Sequence, residues 1–266
     1  MSNPIQDRGI EKTLAPRIIT CIAGFWDLGD RYCLPLKTAA SVITISKTNA
    51  LVIHLPNFKI EYPNCLSDSF WDINDLLNEI SKPADDFTFL FNTSNCKTVV
   101  DAEYYIASIK SLIYSSSFET IAKFIKLEIF DDDLQPKNDF ILDCIIHLPQ
   151  ELRDLCIPFV KGDLSTLKKI AELGCPAARI WCSDIGKGKG IKNQKHLKHL
   201  TDNIDLPLIL EGGLATPQDV YKALELGFEA VLINSAFRYS TKPAKLALDI
   251  RKVIDSWEKE HLHFSS

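Results

Sequence analysis

From about residue 86 onward the sequence alternates between short β-rich runs and segments with helical periodicity, and this alternation constrains the fold more than any other feature. Strands that alternate with helices are typical of parallel sheets, because a parallel connection must cross back over the sheet. The sequence therefore predicts an α/β fold. The predicted strands are FTFLFNTS, FIKLEIF, LCIPFV, AARIWCS, PLILEGG and AVLINSAF.

Residues typical of helix boundaries lie between these strands. Asp163 is placed to cap a helix and Gly174 to end it. Thr216 and Pro217 form an N-cap followed by a first-turn proline, and Gly227 follows the end of that helix. The stretches KKIAELGCPAARIW and YKALELGFEAVLIN also share one helix–glycine–strand pattern, which indicates two equivalent half-units.

Two further strands are predicted upstream, in RIITCIAG and ASVITIS, which brings the number to eight. Eight βα units predict a (β/α)8 TIM barrel that spans residues 1–266 as a single domain, with a doubly wound open sheet as the alternative. Residues 50–64, ALVIHLPNFKIEYPN, are predicted to form a hairpin insertion after the second strand. The following LSDSFWDINDLLNEI is predicted to form a capped helix.

Composition excludes several classes of partner. The net charge of −5 gives no overall attraction to nucleic acid or to anionic membranes, so we expect a small anionic ligand or a protein partner. The eight cysteines form no Cys-x-x-Cys pair, and neither a metal site nor a redox motif is predicted. The sequence shows neither a secretory signal nor an apolar run of membrane-spanning length, and we expect reduced thiols in a cytoplasmic protein.

The stretch FIKLEIF combines an apolar strand with two opposite charges. Because alternate residues of a strand share a face, Lys126 and Glu128 point the same way. Both faces of a strand are buried in a closed barrel, so these charges cannot simply face water. A structural salt bridge is one interpretation. The other is a lysine whose pKa is lowered by desolvation, nucleophilic toward a ketone or aldehyde and forming a Schiff base, with Glu128 moving protons.

Two loops that follow predicted strands are candidates for binding a phosphate. Glu211 ends one strand and is followed by Gly212 and Gly213. The next strand ends in Asn234, Ser235 and Ala236. Loops after the last two strands of a barrel commonly bind phosphate, although glycine after a strand also makes ordinary turns.

The loop SDIGKGKGIKN has glycines at alternate positions, with lysines between them. Its spacing differs from a dinucleotide-binding fingerprint. We interpret it as a mobile loop over the active site, in which Gly186 and Gly188 approach the substrate and Lys187 attracts an anion. A solvated turn is the alternative.

Five motifs together resemble the bacterial thiazole synthase family of thiamine biosynthesis, over about residues 86–250. These motifs are FNTSNCKT, IKLEIFDDD, DIGKGKGI, PLILEGGLATPQD and LELGFEAVLINSAF. The resemblance implies a (β/α)8 barrel that condenses a phosphorylated ketose, 1-deoxyxylulose 5-phosphate, with dehydroglycine and sulfur. It also implies that a ubiquitin-like carrier protein delivers the sulfur as a C-terminal thiocarboxylate.

The resemblance assigns roles to single residues. Lys126 matches the Schiff-base lysine, Glu128 the acid/base glutamate, and Glu211 the position of a catalytic aspartate. Gly213 and the INSAF turn match the phosphate-binding loops. A candidate substrate loop is formed by Asn92, Thr93 and Lys187. We expect a homo-oligomer without metal or cofactor.

Several positions depart from the family pattern. Arg179 interrupts a strand where the family is apolar, and Glu211 is one methylene longer than aspartate. Further departures are Asn95, Phe159 and Asp184. They leave open a paralogue with the same lysine chemistry, such as a 2-thiosugar-phosphate synthase of secondary metabolism. A catalytically silent barrel that binds phosphate or a protein partner is the third hypothesis.

Overall fold

The computed structural model describes residues 4–21, 34–54, 73–93, 96–113 and 122–262, and within them eight parallel strands form a closed barrel. Each strand pairs with the next along the chain, and the last pairs with the first, with Ile18 beside Val231. The predicted (β/α)8 barrel is therefore confirmed. The strands are β1 (Ile18–Thr20), β2 (Ala50–His54), β3 (Thr88–Asn92), β4 (Ala122–Leu127), β5 (Cys156–Val160), β6 (Ala178–Trp181), β7 (Leu208–Glu211) and β8 (Ala230–Ile233).

Helices alternate with these strands, as the sequence pattern predicts. The described helices are α1 (Pro4–Leu14), α2 (Leu36–Ser46), α3 (Ile73–Ile80), α4 (Val99–Ile113), α5 (Asn138–His147), α6 (Gln150–Arg153), α7 (Leu164–Glu172), α8 (Gln194–Asn203), α9 (Pro217–Glu225), α10 (Ser235–Tyr239) and α11 (Pro243–Leu262).

The predicted helix boundaries are confirmed where caps are described. Asp163 accepts a hydrogen bond from the Thr166 N–H at 2.8 Å and so caps α7. Thr216 and Asp219 form a reciprocal capping box at the start of α9. These caps satisfy backbone groups that have no partner within the helix.

The strands bury residues on both faces. Ile125 and Leu127 belong to the outer core between sheet and helices, whereas Phe124 belongs to a separate cluster inside the barrel. Helix α1 contributes Ile10 and Leu14 to that inner cluster and packs against β1, β3 and β4. The helix therefore closes the end at which the strands begin, and leaves the opposite end as the mouth.

The prediction that ASVITIS is a strand was wrong, because residues 40–46 form the C-terminal part of α2. The buried residues Ala39, Val42, Ile43 and Ser46 recur at intervals of three or four and face the contacts with α3 and α11. An apolar β-branched run of this length suits a strand or a buried helix, and burial of a single helical face decided the outcome here.

The second barrel strand is instead ALVIH, which the sequence analysis assigned to the first arm of a hairpin. The remainder of that predicted hairpin, residues 55–64, lies outside the described residues. The predicted helix that follows is described only from Ile73, where α3 begins. The hairpin insertion is therefore not confirmed.

Candidate active site

Four charged side chains lie together inside the barrel, three of them at or next to the ends of β4 and β7 and one, Arg179, as the second residue of β6. Lys126 lies on β4, Glu128 directly follows that strand, Arg179 lies on β6, and Glu211 ends β7. Their exposed fractions are 3%, 4%, 0% and 9%, respectively. The charged face of FIKLEIF therefore points into the barrel interior.

Each carboxylate in this group contacts both cations. Lys126 Nζ donates to Glu128 Oε1 and lies 3.4 Å from Glu211 Oε1. Arg179 donates from Nη1 to Glu128 Oε1 at 2.9 Å and to Glu211 Oε2 at 2.6 Å. The two positive and two negative charges balance. We call Lys126, Glu128, Arg179 and Glu211 the charged tetrad.

Arg179 is also bound to the barrel backbone. It donates from Nε to the Ile157 carbonyl at 3.1 Å and from Nη2 to the Leu127 carbonyl at 2.8 Å. The guanidinium lies 5.1 Å from the centroid of the Phe159 ring. The planar guanidinium carries five N–H donors in fixed directions, so it can bind the carbonyls and the carboxylates at the same time. A lysine ammonium on a flexible stem would hold these acceptors less rigidly.

Arg179 was recognised from the sequence only as a charged interruption of a strand, and its place among the site residues was missed. A signal for it was present, because Arg179 is a charge within the predicted apolar strand AARIWCS. The reasoning that drew attention to Lys126 applies equally to this arginine. By contrast, nothing in the sequence pattern singled out Cys21, which also lines the site.

The pKa of Lys126 differs from the prediction. Burial and the neighbouring Arg179 act to lower the pKa of Lys126, but Glu128 and Glu211 outweigh them and raise it above its ordinary value. The expectation of a lowered pKa was wrong because it took account of burial and left out the attraction of Glu128, and after it Glu211, for the ammonium. Lys126 therefore rests as an ammonium and must give up a proton before it can act as a nucleophile.

Glu128 is held in its ionised form. Burial acts to raise its pKa, but Lys126 and Arg179 outweigh burial and lower the pKa of Glu128 to about 2. Thr93 fixes the adjacent backbone, since its hydroxyl donates to the Glu128 carbonyl at 3.1 Å and accepts from the Glu128 N–H at 2.9 Å. The carboxylate is thus oriented from the main chain as well as by its charged partners.

A cavity of about 60 Å³ opens above the charged tetrad, and most of the predicted site residues line it. The predicted residues in this lining are Asn92, Lys126, Glu128, Gly186, Glu211, Gly212, Gly213, Asn234 and Ser235. The lining is completed by residues that were not predicted from the sequence, Cys21, Phe130, Leu134, Ile185, Leu214 and Leu232. The amine and the candidate phosphate loops therefore share a cavity.

Four predicted residues lie outside the lining. Thr93 is fully buried and bonds to the Glu128 backbone, as described above. Lys187 and Gly188 are exposed at the surface of their loop, and Ala236 is half-buried in the first turn of α10. The structure thus divides the predicted substrate loop, with Asn92 in the cavity and Thr93 and Lys187 away from it.

Glycine is required at both positions after β7. Gly212 and Gly213 have φ angles of +96° and +70°, a region that other residues rarely adopt. A Cβ on Gly213 would also overlap the hydroxyl of Ser183. These glycines allow the β7 loop to lie against the loop after β6, where Gly190 N–H donates to the Gly213 carbonyl at 3.0 Å.

Chemically, this site offers an amine flanked by two carboxylates in a cavity that is mostly shielded from water. Such a set of groups can form an imine with a carbonyl compound and move protons on the adduct. Among the described residues, no group of three or more His, Cys, Asp and Glu side chains is arranged to hold a metal ion. None of the helices in the described part of the chain is both long and apolar enough to cross a membrane.

Comparisons with known proteins point to one family. The family model described as thiazole biosynthesis protein ThiG matches residues 39–260. A thiazole synthase from Nitrobacter winogradskyi is 31% identical over 192 residues, which cover 71% of this chain and 68% of that protein. A thiazole synthase from Rhodopseudomonas palustris is 30% identical over 193 residues, which cover the same shares.

Solved structures agree with this match. A chain in the crystal structure of an Amycolatopsis orientalis BexX/CysO complex superposes with a TM-score of 0.73 at 25% identity, covering 94% of this chain and 92% of that one. The geranylgeranylglyceryl phosphate synthase of Thermoplasma acidophilum has a TM-score of 0.54 at 13% identity, covering 96% of this chain and 100% of its own. The second likeness shows the fold alone.

Proposed function

The chain belongs to the family of thiazole biosynthesis protein ThiG, and from this we propose that it is a thiazole-synthase-like enzyme whose Lys126 forms a Schiff base with a phosphorylated ketose. The observation that carries the proposal is the position of Lys126. Its amine is buried between two carboxylates and lines a cavity shared with Gly213 and Ser235.

The reaction begins with loss of a proton from the Lys126 ammonium. We assign Glu211 as the acceptor, because it is the most exposed member of the charged tetrad and lines the cavity. The neutral amine adds to the ketone carbon, and the C–N bond forms as the carbonyl π electrons move to oxygen. One proton from the added nitrogen and the proton held by Glu211 pass to that oxygen, which leaves as water while the nitrogen lone pair forms the C=N bond of the iminium. Glu128 and Glu211 then assist the proton transfers that rearrange the adduct.

The ketose phosphate is assigned to the other side of the cavity. Gly186, Gly212 and Gly213 would let backbone approach the phosphate closely, and Asn234 and Ser235 would contact it from the start of α10. We take 1-deoxyxylulose 5-phosphate as the first substrate to test, since the family resemblance implies it. A hexose phosphate would indicate the 2-thiosugar variant of the same chemistry.

Sulfur is proposed to come from a ubiquitin-like carrier protein with a C-terminal thiocarboxylate, as the family resemblance implies. A structural relative that is described as a complex with a second protein, CysO, supports a protein partner. We also propose that the enzyme assembles as a homo-oligomer.

Reductive trapping tests the proposal. The protein is incubated with 1-deoxyxylulose 5-phosphate or a hexose phosphate, reduced with borohydride, and examined by mass spectrometry of the intact chain and its peptides. We expect a ketose adduct on Lys126 and none in Lys126→Ala. Lys123→Ala is the matched control, because Lys123 lies on the same strand with the opposite parity, and it should trap normally. An undiminished adduct in Lys126→Ala would overturn the proposal, and no adduct with any ketose phosphate would favour a silent barrel.

A further inference from the structure

Arg179 has no role in the reaction as assigned so far, although it is the largest fully buried side chain described. It makes four hydrogen bonds, two to carboxylates of the charged tetrad, one to the backbone carbonyl at the end of β4 and one to a backbone carbonyl near the start of β5. Burying a guanidinium is costly unless its donors are satisfied and its charge is balanced. Both conditions are met, and both depend on Glu128 and Glu211.

We propose that Arg179 is a positioning residue that fixes Glu128 and Glu211 on either side of the Lys126 amine and balances one of their two charges. This inference rests on the proposed Schiff-base function, because it concerns how the same amine becomes reactive.

Charge balance explains how Arg179 makes the Lys126 amine more reactive. Without Arg179, the Lys126 ammonium would face two buried carboxylates alone, and the remaining three groups would carry one uncompensated negative charge. The ammonium would then be held more tightly, since both carboxylates would depend on it. With Arg179 present, Glu128 and Glu211 keep a cationic partner after Lys126 loses its proton. Arg179 thus lowers the free-energy cost of making the neutral amine.

The groups that face Lys126 support this account. Glu128, Arg179 and Glu211 come from β4, β6 and β7, the Cys21 thiol follows β1, and the neutral Asn92 amide lies beside Lys126 on β3. Of these groups, only Arg179 is cationic. Its effect on the pKa of Lys126 is downward, opposite to the effect of the two carboxylates.

Geometry separates this role from simple filling of the core. Arg179 Nη1 lies between Glu128 Oε1 and Glu211 Oε2, so the two carboxylates are held by a common nitrogen. Nε and Nη2 of the same guanidinium donate to the carbonyls of Ile157 on β5 and Leu127 on β4, and these bonds fix the position of Nη1. An apolar residue could fill the volume but could not hold the two carboxylates in this way.

The test compares Arg179→Met and Arg179→Lys with the wild-type protein. Arg251→Met is the matched control, since Arg251 is also a buried arginine that joins two carboxylates, Asp255 and Glu258, but on α11 away from the site. The first readout needs no substrate: carbon-13 NMR follows the side-chain carboxyl of Glu128 against pH, with Glu128→Gln to assign the signal. The second is the rate of borohydride-trapped adduct formation at pH 7.

We expect Arg179→Met to move the Glu128 titration upward by at least about one pH unit, which corresponds to a tenfold change in the protonation equilibrium. Trapping at pH 7 should slow by about tenfold or more. Arg179→Lys should recover part of both effects, and Arg251→Met should change neither. Equal titration and equal trapping rates in Arg179→Met and wild type would overturn the inference.

Two further outcomes are informative. If Arg179→Met does not fold, Arg179→Lys carries the test, and wild-type behaviour of that variant in both readouts would overturn the inference. If the wild-type protein traps no ketose, the proposed function fails, and the carboxyl titration alone decides whether Arg179 controls the ionisation of the charged tetrad.

Discussion

The two ends of the barrel interior differ sharply although the same strands build both. Near the start of β4 and β7 the inward residues are Phe124 and Ile209, which pack in the inner cluster closed by α1. Two residues further along the same strands, the inward positions hold Lys126 and Glu211. One end holds the apolar inner cluster, while the other holds the charged tetrad beneath the cavity. Along each of these strands, the inward residue that packs in the core and the inward residue of the candidate active site are therefore only two positions apart.

The largest effect is expected at the charged end. Glu211→Gln should slow formation of the trapped adduct by roughly 10²–10⁴-fold, because Glu211 is the assigned acceptor of the Lys126 proton and a positioned acid/base group contributes about that much to proton transfer. Glu229→Gln is the control, since Glu229 pairs with Arg17 on the outside of the barrel, and it should trap at the wild-type rate. A Glu211→Gln variant that traps as fast as wild type would contradict the assignment of the chemistry to this end.

At the apolar end, Phe124→Ala should lower the free energy of unfolding by about 3–5 kcal/mol, because it leaves a cavity between β4 and α1. Urea denaturation measures the loss, and adduct formation per folded molecule should persist. Phe140→Ala, at a partly exposed position on α5, should cost far less. If the two variants are equally stable, the inner cluster does not stabilise the barrel as proposed.

Stability should depend on pH through Glu128. Its pKa is lowered from 4.5 to about 2 in the folded chain, so the ionised carboxylate stabilises the fold above about pH 4.5 and this stabilisation is lost as pH falls toward 2. At roughly 1.4 kcal/mol per pH unit, the contribution is about 3 kcal/mol. Urea unfolding between pH 2 and 6 should show this slope in wild type and in Glu229→Gln, and a flatter one in Glu128→Gln. A slope unchanged by Glu128→Gln would mean that other carboxylates govern acid unfolding.

The smallest effects concern one glycine at each end. Gly213→Ala should destabilise the fold by about 1–2 kcal/mol, because its φ is +70° and a Cβ would overlap Ser183. Gly9→Ala, within α1, should instead stabilise by up to about 1 kcal/mol, since a Cβ there makes an ordinary contact with Phe124 at 3.5 Å. Thermal denaturation measures the stability of both variants. If both variants were stabilised, or both destabilised, the expected difference between the two glycines would be contradicted.

The periodic parts of the fold were predictable from sequence, and the reason is physical. FIKLEIF revealed two inward charges because parity along a strand is a local property, and the caps at Asp163 and Thr216 are local as well. ASVITIS was predicted wrongly because an apolar β-branched run carries no periodic signal of its own, and the contacts of α2 with α3 and α11 decided its structure.

Three members of the charged tetrad, Lys126, Glu128 and Glu211, could be named from the sequence, but Arg179 and the arrangement of the four could not. The members on or next to β4 and β7 lie in recognisable motifs. The distances between their charged groups depend on the register of strands that are far apart in sequence, and the pattern of a single strand does not contain this register. The raised pKa of Lys126 depends on these distances as well, because Glu128 and Glu211, whose Oε1 lies 3.4 Å from the amine, together outweigh burial and Arg179. The role of Arg179 likewise emerges from the meeting of β4, β5, β6 and β7.

A crystal structure of the borohydride-reduced wild-type adduct tests the central claim most directly. The account predicts a covalent bond from Lys126 Nζ to the former carbonyl carbon, with the phosphate against Gly213 and Ser235 at the far side of the same cavity. A ketose attached to a lysine on the outside of the barrel, or a phosphate bound away from those two loops, would contradict it.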